Sequence, residues 1–529
     1  MRRPPRLLGR REILAGAGSL GLLPLLKGPA FADAPPGMRF GAAAPFSFEM
    51  LKARAQAAAR ETYRPPQIRA GDVLQKLDYD AIGKVRFRPE MTLWSDRQFG
   101  PGIRFFHLHR WSKNPVRVSL VEKGAAREIL YSPDYFEKPA GNPAESLPRD
   151  IGFGGFRVLS DDAKGDWLAY QGASYFRSAG PLDQYGLSAR GIAVDTATMR
   201  PEEFPRFSEF WLELDQDRGL TIFALLDGPS LTGAFRIMTS RKDDAVVQEI
   251  QSALFMRKPV ERLGVAPLTS MFWYGENTPR GARDWRPEIH DSDGLALLTG
   301  TGERIWRPLN NPPRVMANAF ADENPRGFGL LQRDRNFADY QDDGVFYDRR
   351  PSVWVEPLGF WGKGSVQLVE IPTDDEVHDN VVAFWVPTGP IKTGQRFDFA
   401  YRLHWLAREP FPAPVARICA TRLGLGGVPG APHPPNSFKI VLDLEGEKFA
   451  GLSRESGVSA VVSASRGTVS ATAVYPVVGT DLWRLMFDIA ASGEEPIDLR
   501  TYVRLGNEPL SETWLYQLFP SEIGQKSGA

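Results

Sequence analysis

From Val85 onward the chain reads mostly in twos. Phe397-Asp398-Phe399-Ala400-Tyr401-Arg402-Leu403-His404-Trp405 alternates apolar and polar residues, which predicts a strand with one wet face, because successive strand side chains point to opposite sides. Val381 to Pro387 is apolar almost throughout and predicts a strand covered on both faces. Gly364 to Ile371 predicts another. Helical periodicity is rare. Ser47 to Tyr63 predicts a helix, with Ser47 as its cap, Glu49 in its first turn and alanines along its length. Long helical stretches between strands are lacking, so the pattern implies a large antiparallel β architecture rather than βαβ repeats. Pro410-Phe411-Pro412-Ala413-Pro414 is the best linker, since prolines break pairing and stiffen a connection. Beyond it, Phe438 to Leu444, Val458 to Ser463, Thr468 to Tyr475, Trp483 to Ile489, Ile497 to Leu505 and Thr513 to Leu518 alternate in turn. Six or seven short strands in about 110 residues suit an immunoglobulin-like sandwich. The expected class is therefore all-β, with a large β-sandwich over residues 33–407, a Pro-rich linker at 408–417 and a smaller sandwich over 418–529. Residues 412–529 are expected to fold by themselves and to carry no chemistry.

Composition narrows the functional classes. The 64 basic and 64 acidic residues balance, so no bulk field favours nucleic acid or an anionic membrane. The single cysteine, Cys419, excludes an internal disulfide and a thiolate-rich metal site. Residues 1–32 read as an address: Arg10-Arg11 precedes a glycine-interrupted apolar run, and Ala30-Phe31-Ala32 supplies small residues for signal peptidase. Twin arginines before a weak apolar core predict a Tat signal and export to the periplasm. The apolar run is too short to span a bilayer comfortably, so no stable membrane insertion is expected.

Between Met271 and Pro387 the residue types suit carbohydrate chemistry. Trp273, Trp285, Trp306, Trp354, Trp361 and Trp385 fall there, six of the chain's 13 tryptophans, and flat rings pack against the C–H faces of pyranoses. Two acid clusters bracket the block: His290-Asp291-Ser292-Asp293-Gly294 and Asp374-Asp375-Glu376-Val377-His378-Asp379-Asn380. Glycoside hydrolysis needs one carboxylic acid kept protonated and a second group to act as base or nucleophile. Four carboxylates within six positions could raise one pKa by mutual repulsion; both segments read equally as solvated turns. Tyr347, Arg349, Arg350 and Trp354 offer hydroxyl, cationic and stacking contacts, and Trp273-Tyr274 offers the same. No phosphate-binding loop, nucleophile elbow or dinucleotide fingerprint is present in the sequence. No metal-ligand spacing stands out, so neither cofactor nor metal is expected.

Several long stretches resemble a known family. Met271-Phe272-Trp273-Tyr274-Gly275-Glu276-Asn277, Arg286-Pro287-Glu288-Ile289-His290-Asp291-Ser292-Asp293-Gly294-Leu295, Arg304-Ile305-Trp306-Arg307-Pro308-Leu309-Asn310-Asn311-Pro312 and Gly327-Phe328-Gly329-Leu330-Leu331-Gln332-Arg333 resemble the periplasmic glucans biosynthesis proteins of the G and D type. Arg333-Asp334-Arg335-Asn336-Phe337-Ala338-Asp339-Tyr340-Gln341-Asp342 resembles the D branch. The resemblance implies a mutarotase-like β-sandwich followed by an immunoglobulin-like domain, and a role in setting the backbone of osmoregulated β-1,2-linked glucans. It extends to inverting β-1,2-glucanases, and so implies Asp379 as the acid, Asp291 as the base and Tyr347 beside them. Trp273, Tyr274, Arg349, Arg350, Trp354, Trp361 and Glu376 are expected to line the glucan cleft. The expected partner is β-1,2-linked glucan, with the membrane glucan-synthesis machinery as a second. The competing expectation is a glucan-binding protein without turnover that guides that machinery.

Overall fold

The structure, a computed structural model, describes residues 34–95, 102–160, 163–215, 219–242, 244–278, 284–411 and 414–520. The expected signal segment 1–32 and the linker residues Pro412 and Ala413 lie outside the described residues. The all-β expectation holds: antiparallel strands build the molecule, with few short helices among the described residues. One sheet runs, neighbour by neighbour, through Met316–Glu323, Lys363–Glu370, Val381–Pro387, Leu263–Ser270, Ser188–Arg190, Tyr175–Ser178, Asp166–Gln171, Gly155–Leu159 and Ile103–Phe106. The facing sheet runs through Arg117–Glu122, Arg206–Asp215, Gly219–Asp227, Leu231–Lys242, Ala245–Met256, Arg396–Leu406, Ser352–Leu358, Gly327–Leu331, Gly294–Leu298 and Arg304–Pro308.

The alternation seen in the sequence is what joins these layers. Phe399, Tyr401, Leu403 and Trp405 all turn inward from Arg396–Leu406. Across the core, the Phe210 ring meets Phe156 at 5.1 Å and Tyr170 at 5.7 Å. A buried amide also joins the layers. Gln248 donates to the Tyr170 hydroxyl at 3.0 Å and accepts from Trp405 Nε1 at 2.8 Å, so neither end is left unsatisfied. The predicted helix forms over Phe48–Ala58, with Ser47 Oγ accepting from Met50 N at 3.2 Å. It stops five residues short of Tyr63. Arg257 donates to the Ala58 and Glu61 carbonyls at 2.8 and 2.9 Å, satisfying the groups that a helix end leaves open.

The C-terminal strands follow the predicted runs and form a second sandwich. Arg417–Leu425, Ser437–Glu445, Trp483–Ala490 and Thr468–Pro476 form one sheet; Val458–Ala464, Ile497–Leu505 and Thr513–Leu518 form the other side. Arg417–Leu425 escapes the alternation rule because a bulge between Ile418 and Ala420 shifts its register. Thr513–Leu518 also pairs in parallel with Arg304–Pro308, so a sheet runs unbroken from one sandwich into the other. The C-terminal core draws in Ala296, Trp306, Leu331 and Trp354 from the large sandwich.

Candidate active site

Two carboxylates are set at one strand end by the backbone itself. The strand Leu263–Ser270 runs into Met271 and Phe272. The Ser270 carbonyl accepts Asn380 N at 3.1 Å, and the Met271 carbonyl accepts Asp291 N at 2.8 Å. The Asn380 side chain completes the clamp, accepting from Phe272 N at 2.8 Å and donating to the Phe272 and Ile371 carbonyls at 3.0 and 2.9 Å. Ser270 and Ser292 share a hydroxyl–hydroxyl hydrogen bond at 2.8 Å. Asp379 and Asp291 thus flank the same two residues although they are far apart in sequence. Arg350 links them: its guanidinium forms an ion pair with Asp291, and its charge also acts on Asp379.

The two acids have different surroundings. Asp379 is exposed to solvent, with protein packed against its other side. That packing raises its pKa against the opposing pull of Arg190, Arg177, Arg350 and His378. The cause differs from the expected one: lost hydration, not a neighbouring carboxylate, is the largest influence. The other acids of the loop are engaged elsewhere. Asp375 accepts from Val377 N at 2.9 Å and pairs with His378 at 3.2 Å, which lowers its pKa. Glu376 is gripped by Arg286 through two contacts of 3.0 Å and receives the Tyr347 hydroxyl.

Cationic side chains wall the site. Arg350 lies 3.8 Å over the Tyr347 ring; burial, the largest influence on it, lowers its pKa to about 10, which leaves it charged at neutral pH. Tyr347 is buried, and burial followed by Glu376 raises its pKa, so its hydroxyl remains a donor. Burial opposes the charge on Arg286, but Asp284, Glu376 and Asp342 outweigh it and raise its pKa. Arg190 and Tyr175 are register partners on neighbouring strands. The Arg190 guanidinium stacks on that ring at 4.7 Å and pairs with Glu202 at 2.8 Å. An acid held at the end of a sheet among guanidinium and hydroxyl donors is a setting for proton transfer to a polyhydroxylated ligand.

A family model described as "Periplasmic glucan biosynthesis protein, MdoG" matches residues 46–518. The chain belongs to that family. It is 50% identical to "Glucans biosynthesis protein D 2" of Ralstonia nicotianae, covering 97% of this chain and 98% of that protein. It is 46% identical to "Probable glucans biosynthesis protein D" of Shewanella oneidensis, over 91% and 90% of the two chains. Among solved structures, it aligns with a galactose mutarotase related enzyme from Lactobacillus acidophilus at 10% identity and a TM-score of 0.21, covering 47% of this chain and 94% of that one.

Of the residues picked out by sequence, Asp291, Asp379, Tyr347, Arg350 and Glu376 are connected through the contacts above. Tyr274 is fully buried behind them and donates to the Arg286 carbonyl at 3.1 Å. Trp273 is half-buried, its ring 5.1 Å from Tyr274. Arg349 is exposed and stacks on Phe346 at 4.8 Å. Two expectations need correction. Trp354 is a core residue at 0% exposure. It occupies the space that a side chain at Gly327 would fill, with Arg304 5.4 Å over its ring, and no sugar can reach it. Trp361 is 6% exposed, packs against Trp385 and Tyr401 and donates Nε1–H to the Ala400 carbonyl at 3.2 Å. Sequence reading missed Arg177, Arg190, Arg286 and Asn380. Arg286 and Asn380 lie inside the quoted motifs, whereas Arg177 and Arg190 arrive from strands that carry no local signal.

Proposed function

We propose that this protein is an exported, inverting endo-β-1,2-glucanase that sets the length or form of periplasmic glucans. Asp379 gives its proton to the glycosidic oxygen as the bond to the anomeric carbon breaks. Asp291 accepts the proton of the water that attacks from the opposite face, directly or along a relay of water and sugar hydroxyls. Arg350, Arg190 and Arg177 hold the sugar hydroxyls, and Tyr347 with Glu376 supports the loop that carries Asp379. The observation that carries this reading is the contrast between the two carboxylates around Arg350: Asp291 is buried and paired with the guanidinium, whereas Asp379 is open to solvent on one side and its pKa is raised by the loss of hydration on the other. Opposed environments of this kind assign acid and base in one site.

The test is to incubate purified protein with linear β-1,2-glucan and size the products. Shorter chains are expected. Glucan that binds without being shortened would leave only the guiding role beside a membrane synthase. Export by the Tat route rests on Arg10-Arg11. Replacing both arginines with lysine should retain the precursor in the cytoplasm on fractionation, and undiminished periplasmic protein would refute that route.

A further inference from the structure

A second cluster of ionisable groups lies behind Asp291 and takes no part in the chemistry above. Glu288 and His290 are two apart in extended chain and so share a face, opposite to that of Asp291. Asp334 reaches them from the segment after Gly327–Leu331, and the donor atoms of all three lie within 4.8 Å of one another. They border a cavity of about 30 Å³, walled on one side by Phe272, Glu276 and Arg333 and on the other by the strand residues Ile418 and Thr421 of the C-terminal sandwich. We propose that Glu288, His290 and Asp334 bind one divalent transition-metal ion, of the zinc or manganese class, between the two sandwiches.

The donors determine the class of ion. One imidazole nitrogen with two carboxylate oxygens suits a borderline metal; calcium would take six to eight oxygens. His290 is oriented for ligation. Its Nδ1 faces Gln332 Oε1 at 3.0 Å and Asp293 at 3.2 Å, while Nε2 points at Glu288 at 2.9 Å. A ring nitrogen held by an amide or carboxylate is the usual support for the opposite nitrogen as a metal ligand. Metal–ligand bonds of about 2.0–2.2 Å set ligand atoms roughly 3.3–3.5 Å apart, so the His290–Glu288 pair at 2.9 Å opens slightly and the widest separations, up to 4.8 Å, close. The cavity leaves room for a water as fourth ligand.

Charge and pairing call for a cation at this place. Four carboxylates, Glu276, Glu288, Asp293 and Asp334, line the cavity with His290 and Arg333. Arg333 is committed elsewhere, to Glu409 at 3.0 Å and Glu512 at 2.6 Å. Glu276 is held by Thr421 N and Arg422. The Asp334 carboxylate is half-buried and lines the cavity, and among the described residues it receives neither a hydrogen bond nor an ion pair. An unpartnered carboxylate set beside three others favours a bound cation, because like charges in one place repel. The Cys419 thiol, pushed up to about 12 by burial, turns to the Asp443 carbonyl at 3.4 Å and is not one of the ligands. An ion here would pin the segment carrying Asp291 to the one carrying Arg333, which grips the C-terminal sandwich.

The test is calorimetric titration of chelator-stripped, full-length protein with Zn²⁺ and, separately, Mn²⁺, with thermal unfolding measured alongside. One ion per chain and a raised unfolding midpoint are expected with at least one of the two metals. Asp334→Asn, which keeps the shape and removes no existing bond, should weaken binding tenfold or more with unchanged circular dichroism. Glu288→Gln should do the same, and Asp379→Asn should bind as the parent does. Absence of stoichiometric binding by either metal would overturn the site. So would binding that both Asp334→Asn and Glu288→Gln leave untouched.

Discussion

In the proposed mechanism Asp379 carries both the proton transfer and an energetic cost. A carboxyl raised in the folded state favours the protonated fold. Its contribution is complete below the ordinary value of 3.8 and is lost as pH rises through the raised value. Asp379→Asn carries no charge to desolvate. It should therefore unfold at a higher temperature than the parent at about pH 8, with the difference closing towards acid. The same change removes the transferable proton, so turnover should fall about 10²-fold or more while glucan still binds. Paired thermal scans and single-turnover rates check both halves; a variant less stable at high pH, or one of near-normal turnover, would contradict them. The parent rate should decline on the alkaline side as Asp379 loses its proton. The residue scale is also where sequence was most misleading. Trp354 and Trp361 sit among motif residues with the composition of a sugar platform, yet a ring that stacks on sugar and a ring that fills a core look alike until burial is known. Asp379 and Asp291 enter the proposed site through the family resemblance, and the structure brings both to the end of one strand.

At the scale of elements, the site depends on how the end of Leu263–Ser270 meets the loop before Val381–Pro387. Asn380 makes three side-chain hydrogen bonds there. Asn380→Ala strands the Phe272 N–H and two carbonyls and should cost about 2–4 kcal/mol. It should also lower kcat at least about tenfold, since small displacements of a catalytic acid are costly. Urea unfolding and initial rates measure the two effects; a stable variant of unchanged kcat would remove Asn380 as the anchor of Asp379. The strands were readable because period-two patterning survives wherever one face is wet, as in Arg396–Leu406. Arg417–Leu425 was not, because its bulge breaks the period. Arg177 and Arg190 were hidden for another reason. Their place beside Asp379 comes from register, Tyr175 opposite Arg190 and Ser188 opposite Thr269, and pairing between distant strands leaves no local trace.

Across the whole molecule, the two sandwiches share a sheet through Arg304–Pro308 and Thr513–Leu518 and a buried ionic junction. Glu512, 2% exposed, accepts from Arg333 at 2.6 and 3.1 Å and from Ile418 N at 2.7 Å. The expectation of a C-terminal unit folding by itself gives way to a proposal of joint unfolding. Tryptophan fluorescence and circular dichroism should report one urea transition, and Glu512→Ala should shift it by about 3–5 kcal/mol, the cost of leaving a buried charge short of a partner. Two separate transitions, with only one moved by Glu512→Ala, would show independent units. The junction stands behind the segment that carries Asp291, so in the proposed mechanism the second sandwich supports the site without lending it a reacting group. That site makes one claim above the others, that Asp379 and Asp291 cut a β-linked glucan with inversion. The most direct measurement is proton NMR of the reducing ends in the first moments of hydrolysis of linear β-1,2-glucan. The account predicts the α anomer first, relaxing to the equilibrium mixture, and product formed about 10²-fold or more slowly by Asp379→Asn. A β anomer at early times, or no cleavage by the parent protein, would contradict it.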